Sequence, residues 1–364
     1  MHPDFNRNVY CILGLPFDAV TMTEAVKRVR DAAVNNSPCF LSTPNLNFLI
    51  GCQSDTAFRD SVINSNLSVA DGMPIVWIAK LLGIPIRERV AGSDLFESLK
   101  INAVKPLSVY FFGGLEGVAE TACTRLNDTT SGILCAGCES PGFASVQEMS
   151  SQKTIDKINA SGADFLLVSL GAKKGQAWIE HNRNQISVPV ISHLGAVINF
   201  VAGNLDRAPI LVRRLGLEWL WRIKEEPSLW RRYASDGREL LKLILTRILP
   251  YAWFLLRHKP ANHKKDNSTI TLSDDNGITT IHLSGIWVME NLQPLRECFA
   301  NQVLTDRNIQ IDLKNVIYID SGFMGLLLML YGKKLQQSKY LSVRNSQQPV
   351  REIFYFMCVE FLLD

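Results

Sequence analysis

Between residues 8 and 200 the chain alternates short apolar runs with amphipathic stretches, and this alternation limits the fold more than any other feature of the sequence. The runs at 39–45 (CFLSTPN), 107–114 (LSVYFFGG), 163–171 (ADFLLVSLG) and 188–195 (VPVISHLG) read as strands ending in turn-forming or Gly-rich loops. Between them the spacing of apolar residues predicts helices over 23–34, 73–82 and 117–126. Strands this apolar are buried on both faces, and strands joined through helices run parallel. The expected architecture is therefore α/β, a mainly parallel sheet with helices on both sides. Ligands of such sheets bind beyond the carboxyl ends of the strands, so the loops after each run are the places to look for chemistry.

From residue 206 the character changes. Residues 206–265 hold fourteen Lys or Arg against six Asp or Glu, a local excess of eight; with +3 overall, the rest of the chain carries −5. Such a concentration of positive charge calls for a partner. The stretch 240–256 is strongly apolar but is interrupted by Lys242, Arg247 and Pro250, which argues against a membrane-spanning helix. Two readings of 206–257 stand side by side: a basic, Trp-bearing amphipathic appendage lying in a membrane interface, or a helical pair packed on the protein's own core. A polar stretch at 258–268 reads as a linker. Beyond it two strand-like runs flank Asp275-Asn276-Gly277, a hairpin signal. Helix patterns at 290–302, 321–336 and from about Pro349, with a strand at 309–313, complete a small α/β module over 269–364. Residues 1–205 form the larger unit.

The eight cysteines lie singly in apolar stretches, as reduced, packed thiols of a cytoplasmic protein do. The close pair Cys135 and Cys138 has no second pair or spaced histidines for zinc, and it runs into a turn, so no metal or redox site is expected. The first twenty residues lack the pattern of an export signal.

Five clusters carry candidate chemistry. Thr43-Pro44-Asn45 and Asp71-Gly72 follow strands and can converge on one cleft, where Asp71 could take a proton from an attacking hydroxyl; an Asp-Gly pair is also an ordinary turn. Arg89, in a short loop before a helix, suits a diphosphate, or else pairs with Glu88 or Asp94. Gly113 and Gly114 precede a helix and could cradle an anion on backbone amides. Lys173, Lys174 and Gln176 follow a very apolar strand and suit phosphate and sugar hydroxyls. Gly195, Asn199, Arg207, Glu218, Arg222 and Arg232 belong to the last cluster.

Taken in order, the elements TPN, ADG, ERVAGSD, FFGG, SPGF, VSLGAKK, LGA, AG, RAP, GLEWL and EP…RRY over roughly 10–235 resemble the WecG/TagA/CpsF group, glycosyltransferase family 26. The resemblance implies a Rossmann-like sheet and an inverting, metal-independent transfer of a hexose or N-acetylhexosamine (N-acetylmannosamine, N-acetylmannosaminuronic acid or glucose). The donor would be a UDP-sugar and the acceptor a polyprenyl-diphosphate-linked saccharide of cell-surface polysaccharide synthesis. It makes Asp71 the base, with Thr43 and Asn45 beside it, and Arg89 a sugar or phosphate contact. It makes the basic tail a flap closing over the site, with Arg214, Arg222, Arg231 and Arg232 as pyrophosphate contacts. It thereby favours the membrane reading: a protein held peripherally on the cytoplasmic face, with an anionic lipid surface and no nucleic acid as partner. Two positions depart from the family, Gly175 where glutamine is usual and Asn199 where the pattern has aspartate. They bear on sugar specificity, and they motivate an alternative, a non-catalytic UDP-sugar sensor acting through the C-terminal module. That module resembles a STAS domain through residues 311–335, but Asp320-Ser321 runs into Gly322, so the usual phosphorylated second serine is missing. The resemblance therefore implies a docking or regulatory module for a protein partner that needs no phosphorylation.

Overall fold

The computed structural model describes residues 4–101, 105–129, 131–214, 216–258, 268–275 and 277–364; the side chains of Ile210 and Arg214 lie outside that description. An N-terminal hairpin, β1 (Val9–Ile12) and β2 (Leu15–Asp18), precedes a six-stranded sheet of β3 (Cys39–Ser42), β4 (Leu67–Ser68), β5 (Leu107–Gly113), β6 (Ile133–Glu139), β7 (Phe165–Ser169) and β8 (Val190–His193). The strand order is β4-β3-β8-β7-β5-β6, with every pairing parallel. The four runs read from the sequence are β3, β5, β7 and β8, and the predicted helices appear as Met22–Val34, Met73–Leu81 and Val118–Asn127. Helices cover both faces of the sheet. One core gathers Leu41, Val109, Phe111 and Leu167, and the opposite one gathers Phe40, Tyr110, Phe112 and Trp178. Buried Asp18 binds Arg7 through two hydrogen bonds and accepts from the Ser68 amide, which ties the hairpin to β4. Of the cysteines, Cys123 and Cys135 come together as a bonded pair, Cα atoms 5.2 Å apart, where isolated thiols were expected; the other six are free.

After Gly203 the chain leaves the sheet as short helices Ile210–Arg214 and Glu218–Glu225. A longer helical rod follows: Trp230–Leu243, a π-turn Ile244–Ile248, then Leu249–His258. Part of this basic segment packs on the protein's own core, as the second reading expects. Ile248, Tyr251 and Phe254 are buried, whereas Leu241, Leu245, Leu249, Trp253 and Leu256 form a stripe at helical spacing that faces outward, each about half-exposed or more. No helix among the described residues is long and apolar enough to cross a membrane. Residues 259–267 of the expected linker lie outside the described residues.

The C-terminal module holds a second sheet, β9 (Thr269–Asp275), β10 (Ile278–Trp287), β11 (Asn308–Ile319) and β12 (Leu341–Arg344), in the order β12-β11-β10-β9. Only the hairpin pair β9–β10 is antiparallel. The helix Ser321–Gln336 occupies the span read from the sequence, and most of its residues are buried, because it is covered on two sides.

Candidate active site

A cleft of about 720 Å³ opens beyond the carboxyl ends of β3, β4, β7 and β8. Its floor comes from the loops after those strands: Thr43 and Asn45, Asp71 and Gly72, Gly171, and His193 to Gly195. Its outer wall is the appendage, through Glu218, Trp221, Arg222, Arg232, Tyr233 and Asp236. The floor is stiffly built. Asn45 caps the helix Leu46–Ser54, its Oδ1 accepting from the Phe48 amide at 3.3 Å, and the Asp71 amide donates to the Pro44 carbonyl at 2.9 Å. These two bonds place the loops after β3 and β4 side by side.

Asp71 keeps an opening onto the cleft but sits deep among protein atoms. Burial raises its pKa to about 6; the nearby Arg89 and Arg222 guanidiniums and the Gly92 N–H oppose the rise, and Glu218 adds to it. Among the described residues the carboxylate takes a single long hydrogen bond, from the Gly92 amide to Oδ2 at 3.3 Å. A carboxylate so weakly satisfied, poised near neutrality and facing a cavity has the properties of a proton acceptor.

Around it lies a network of ion pairs. Arg89 donates to Asp94 Oδ2 and to Glu218 Oε2, both at 2.6 Å. Asp94 also receives Arg213 at 2.6 Å and Arg207. Arg89 thus pairs with Asp94, as one expectation had it, and with a carboxylate 129 positions away in the appendage. Arg222 and Arg232 line the cleft and form no ion pair among the described residues. Asp236 accepts from Asn47 Nδ2 at 3.4 Å, a second tie between appendage and floor.

Of the residues singled out from sequence, Thr43, Asn45, Asp71, Arg89, Gly195, Asn199, Arg222 and Arg232 line this cleft. Others do not, and the structure corrects them. Gly113 and Gly114 lie off the cleft. A Cβ at Gly113 (φ +110°) would stand 2.4 Å from the Ser169 carbonyl oxygen, which accepts from the Gly114 N–H, so these glycines let β5 close against β7 rather than cradle an anion. Lys174 reaches outward to the Ala144 carbonyl. Gln176 is fully buried and donates to Ser42 Oγ, which makes it part of the core. Arg207 is bound to Asp94, and Arg231 lies over the exposed ring of Trp230. The side chain of Arg214 lies outside the described residues.

Three cleft residues escaped the sequence reading. His193 is buried with Nε2 unpartnered, and desolvation lowers its pKa to about 4, so it is neutral near pH 7. Trp221 likewise has an unpartnered, enclosed Nε1. Asp236 is nearly buried, and burial raises its pKa. His193 also accounts for one departure noted above: a Cβ on Gly175 would stand 2.2 Å from His193 Cδ2, so the ring fills the space a side chain at 175 would need. The signal was present as Gly175, but its partner lies eighteen positions on, at the end of β8.

Comparison with known proteins agrees with this geometry. Residues 10–252 match the model of the Glycosyl transferase WecG/TagA/CpsF family, and residues 270–363 match that described as Mlab, STAS domain. The chain is similar to N-acetylglucosaminyldiphosphoundecaprenol N-acetyl-beta-D-mannosaminyltransferase of Bacillus spizizenii, 30% identical over 230 residues, or 63% of this chain and 83% of the relative. The protein of the same name from Staphylococcus aureus strain MW2 is 27% identical over 224 residues, 61% of this chain and 85% of the relative. The first match covers both the cleft floor and the appendage that walls it. The chain therefore belongs to the WecG/TagA/CpsF family of glycosyl transferases.

Proposed function

We propose that the chain transfers a hexose or N-acetylhexosamine from a UDP-sugar to a polyprenyl-diphosphate-linked saccharide, with Asp71 as general base. The observation that carries this reading is the Asp71 carboxylate, which has one long hydrogen bond and opens on a cleft whose opposite wall holds Arg222 and Arg232. The acceptor hydroxyl gives its proton to Asp71 as its oxygen bonds to the anomeric carbon. The bond from that carbon to the diphosphate breaks, and its electron pair leaves with UDP. Direct displacement inverts the anomeric centre. The charge that develops on the leaving phosphate falls to Arg222 and Arg232, cations that form no ion pair among the described residues, so the transfer is expected to proceed without a metal. The named relatives act on an N-acetylglucosaminyl diphosphoundecaprenol with an N-acetylmannosaminyl group, which makes that acceptor and UDP-N-acetylmannosamine the first pair to assay.

The test is a panel of UDP-sugars with a short-chain lipid-diphosphate acceptor, in chelator, using the wild type and Asp71→Ala. Turnover by the wild type, lowered roughly 10²–10⁴-fold in the variant, supports the reading. UDP binding with no turnover across the panel would favour the sensor alternative instead.

The outward stripe of Leu241, Leu245, Leu249, Trp253 and Leu256, beside a basic segment, supports docking of the appendage on an anionic bilayer, where the lipid acceptor resides. Binding to vesicles containing phosphatidylserine is expected to weaken as salt rises, since exposed charges are screened over about 8 Å at physiological ionic strength. Absent or salt-independent binding would count against that docking.

A further inference from the structure

One face of the C-terminal module is taken by the rest of the chain. Its long helix Ser321–Gln336 lies against β1 so closely that a Cβ on Gly325 would stand 2.3 Å from the Val9 carbonyl oxygen. Phe5, Val9, Cys11 and Ile63 of the larger unit share one continuous core with Phe323, Leu327 and Phe354 of the module. Polar contacts ring that core. Arg296 donates to the carbonyls of Phe5 and Arg7, the Arg59 guanidinium lies 3.5 Å from the centre of the Phe361 ring, and the Tyr331 hydroxyl meets Asp60 at 3.4 Å. Ser321, the one hydroxyl left at the signature turn, is buried.

A second set of contacts reaches the appendage. Arg247, in the π-turn of the rod, pairs with Glu360 at 2.6 Å, donates to the Tyr355 carbonyl and lies 3.5 Å over the Tyr355 ring. Beside it Tyr251 and Phe254 pack on Phe356, ring centres 5.8 and 5.9 Å apart. The N-terminal half of that same rod carries Arg232, Tyr233 and Asp236 into the cleft.

We infer that the C-terminal module is a partner bound in cis, a brace that sets the position of the cleft-walling helix by gripping Arg247 through Glu360 and Tyr355 and by seating Tyr251 and Phe254 on Phe356. The module's role is then exerted on this chain's own cleft, without phosphorylation of Ser321 or a second protein. Glu360 and Arg247 are positioning residues that act through the rod. A π-turn is a suitable grip, because the wide turn breaks the regular hydrogen-bond ladder and makes the rod angle adjustable there.

The effect on turnover rests on the transferase reading above, but the brace can be measured without turnover. In the full chain, Glu360→Gln is compared with wild type by hydrogen exchange and by kinetics. Amides of 230–243 are expected to exchange roughly five-fold faster, the factor given by losing an ion pair worth about 1 kcal/mol, while amides of β5 and β7 keep their protection. The acceptor KM is expected to rise by a similar factor with little change in kcat. Exchange at 230–243 that is unchanged, or that rises equally in β5 and β7, would overturn the inference. Should the single change unfold the module, the charge-swapped pair Arg247→Glu with Glu360→Arg decides: recovery of protection at 230–243 supports the brace, and no recovery refutes it. A wild type without transfer activity but with a responsive rod would sink the proposed reaction and leave the brace standing.

Discussion

Asp71 and Asp320 occupy equivalent places in two different sheets, and their surroundings assign them opposite jobs. Each lies in a loop after a strand, just before a helix, and burial raises the pKa of each to about 6. Asp320 caps the helix Ser321–Gln336, its Oδ1 accepting from the Phe323 amide at 2.8 Å and its Oδ2 from the Met289 amide at 2.9 Å. Both oxygens are satisfied inside the fold. Asp71 takes one bond at 3.3 Å and faces a cavity. An elevated pKa alone does not mark a functional carboxylate, since burial produces it at both positions. Hydrogen-bonding capacity left unused on a cleft does.

The largest effect this contrast predicts is kinetic. Asp71→Asn removes the proposed proton acceptor while keeping the shape, and kcat is expected to fall by roughly 10²–10⁴, some 3–5 kcal/mol of barrier. Asp320→Asn still caps the helix and is expected to leave transfer close to wild type. Asp320→Ala loses the cap and strands two backbone donors, so chemical denaturation should report a loss of about 1–3 kcal/mol. A kinetic defect in Asp320→Asn matching that of Asp71→Asn would erase the distinction.

Much of the fold was legible in the sequence, because apolar runs and helical spacing are local signals. The strands at β3, β5, β7 and β8 and the helix Ser321–Gln336 needed nothing else. The site was legible only in part. Every loop after an apolar strand looks alike in sequence, but the order β4-β3-β8-β7-β5-β6 puts the cleft over β4, β3, β8 and β7 and leaves the loop after β5 aside. That is why Asp71 and Asn45 line the cleft while Gly113 and Gly114, which look the same in sequence, lie off it. The pairing of Arg89 with Glu218 spans 129 positions, and no local pattern encodes a contact that tertiary closure creates. Gln176 suits sugar hydroxyls as a residue type, but its helix turns it inward onto Ser42.

A second, smaller effect sharpens the comparison through pH. The folded pKa of Asp71 lies above its unfolded value of 3.8, so the folded state holds that proton more tightly. Between about pH 4 and 6 the unfolded carboxyl has released the proton while the folded one has not fully done so, and ionising the buried group then destabilises the fold. Relative to wild type, Asp71→Asn is therefore expected to be favoured as pH rises through that window, by up to about 3 kcal/mol at pH 8 and by almost nothing from this source below about pH 3. At Asp320 the same removal of charge is offset, because the asparagine Nδ2 that replaces Oδ2 is a donor and leaves the Met289 N–H without its acceptor, while the Phe323 N–H keeps only a neutral one. Its pH-dependent gain should be smaller, and equal gains in the two variants would mean that burial alone governs both.

The smallest effect concerns His193, whose buried Nε2 has no hydrogen-bond partner among the described residues. Because that nitrogen bonds nothing in the fold, the imidazole contributes packing but no hydrogen bond through it. Its ring is pressed against the bare backbone of Gly175. Gly175→Ala must displace the ring, an overpacking expected to lower stability by about 1–3 kcal/mol. In a His193→Ala background the space is vacant and the same alanine should be nearly neutral, so the double-mutant cycle gives a coupling of comparable size. If Gly175→Ala is as damaging without the imidazole as with it, the glycine is kept for a backbone reason. If the coupling appears, the glycine at 175 makes room for the His193 ring on the cleft, and this departure from the family pattern is explained by a contact between the helix Ala172–Asn182 and the end of β8.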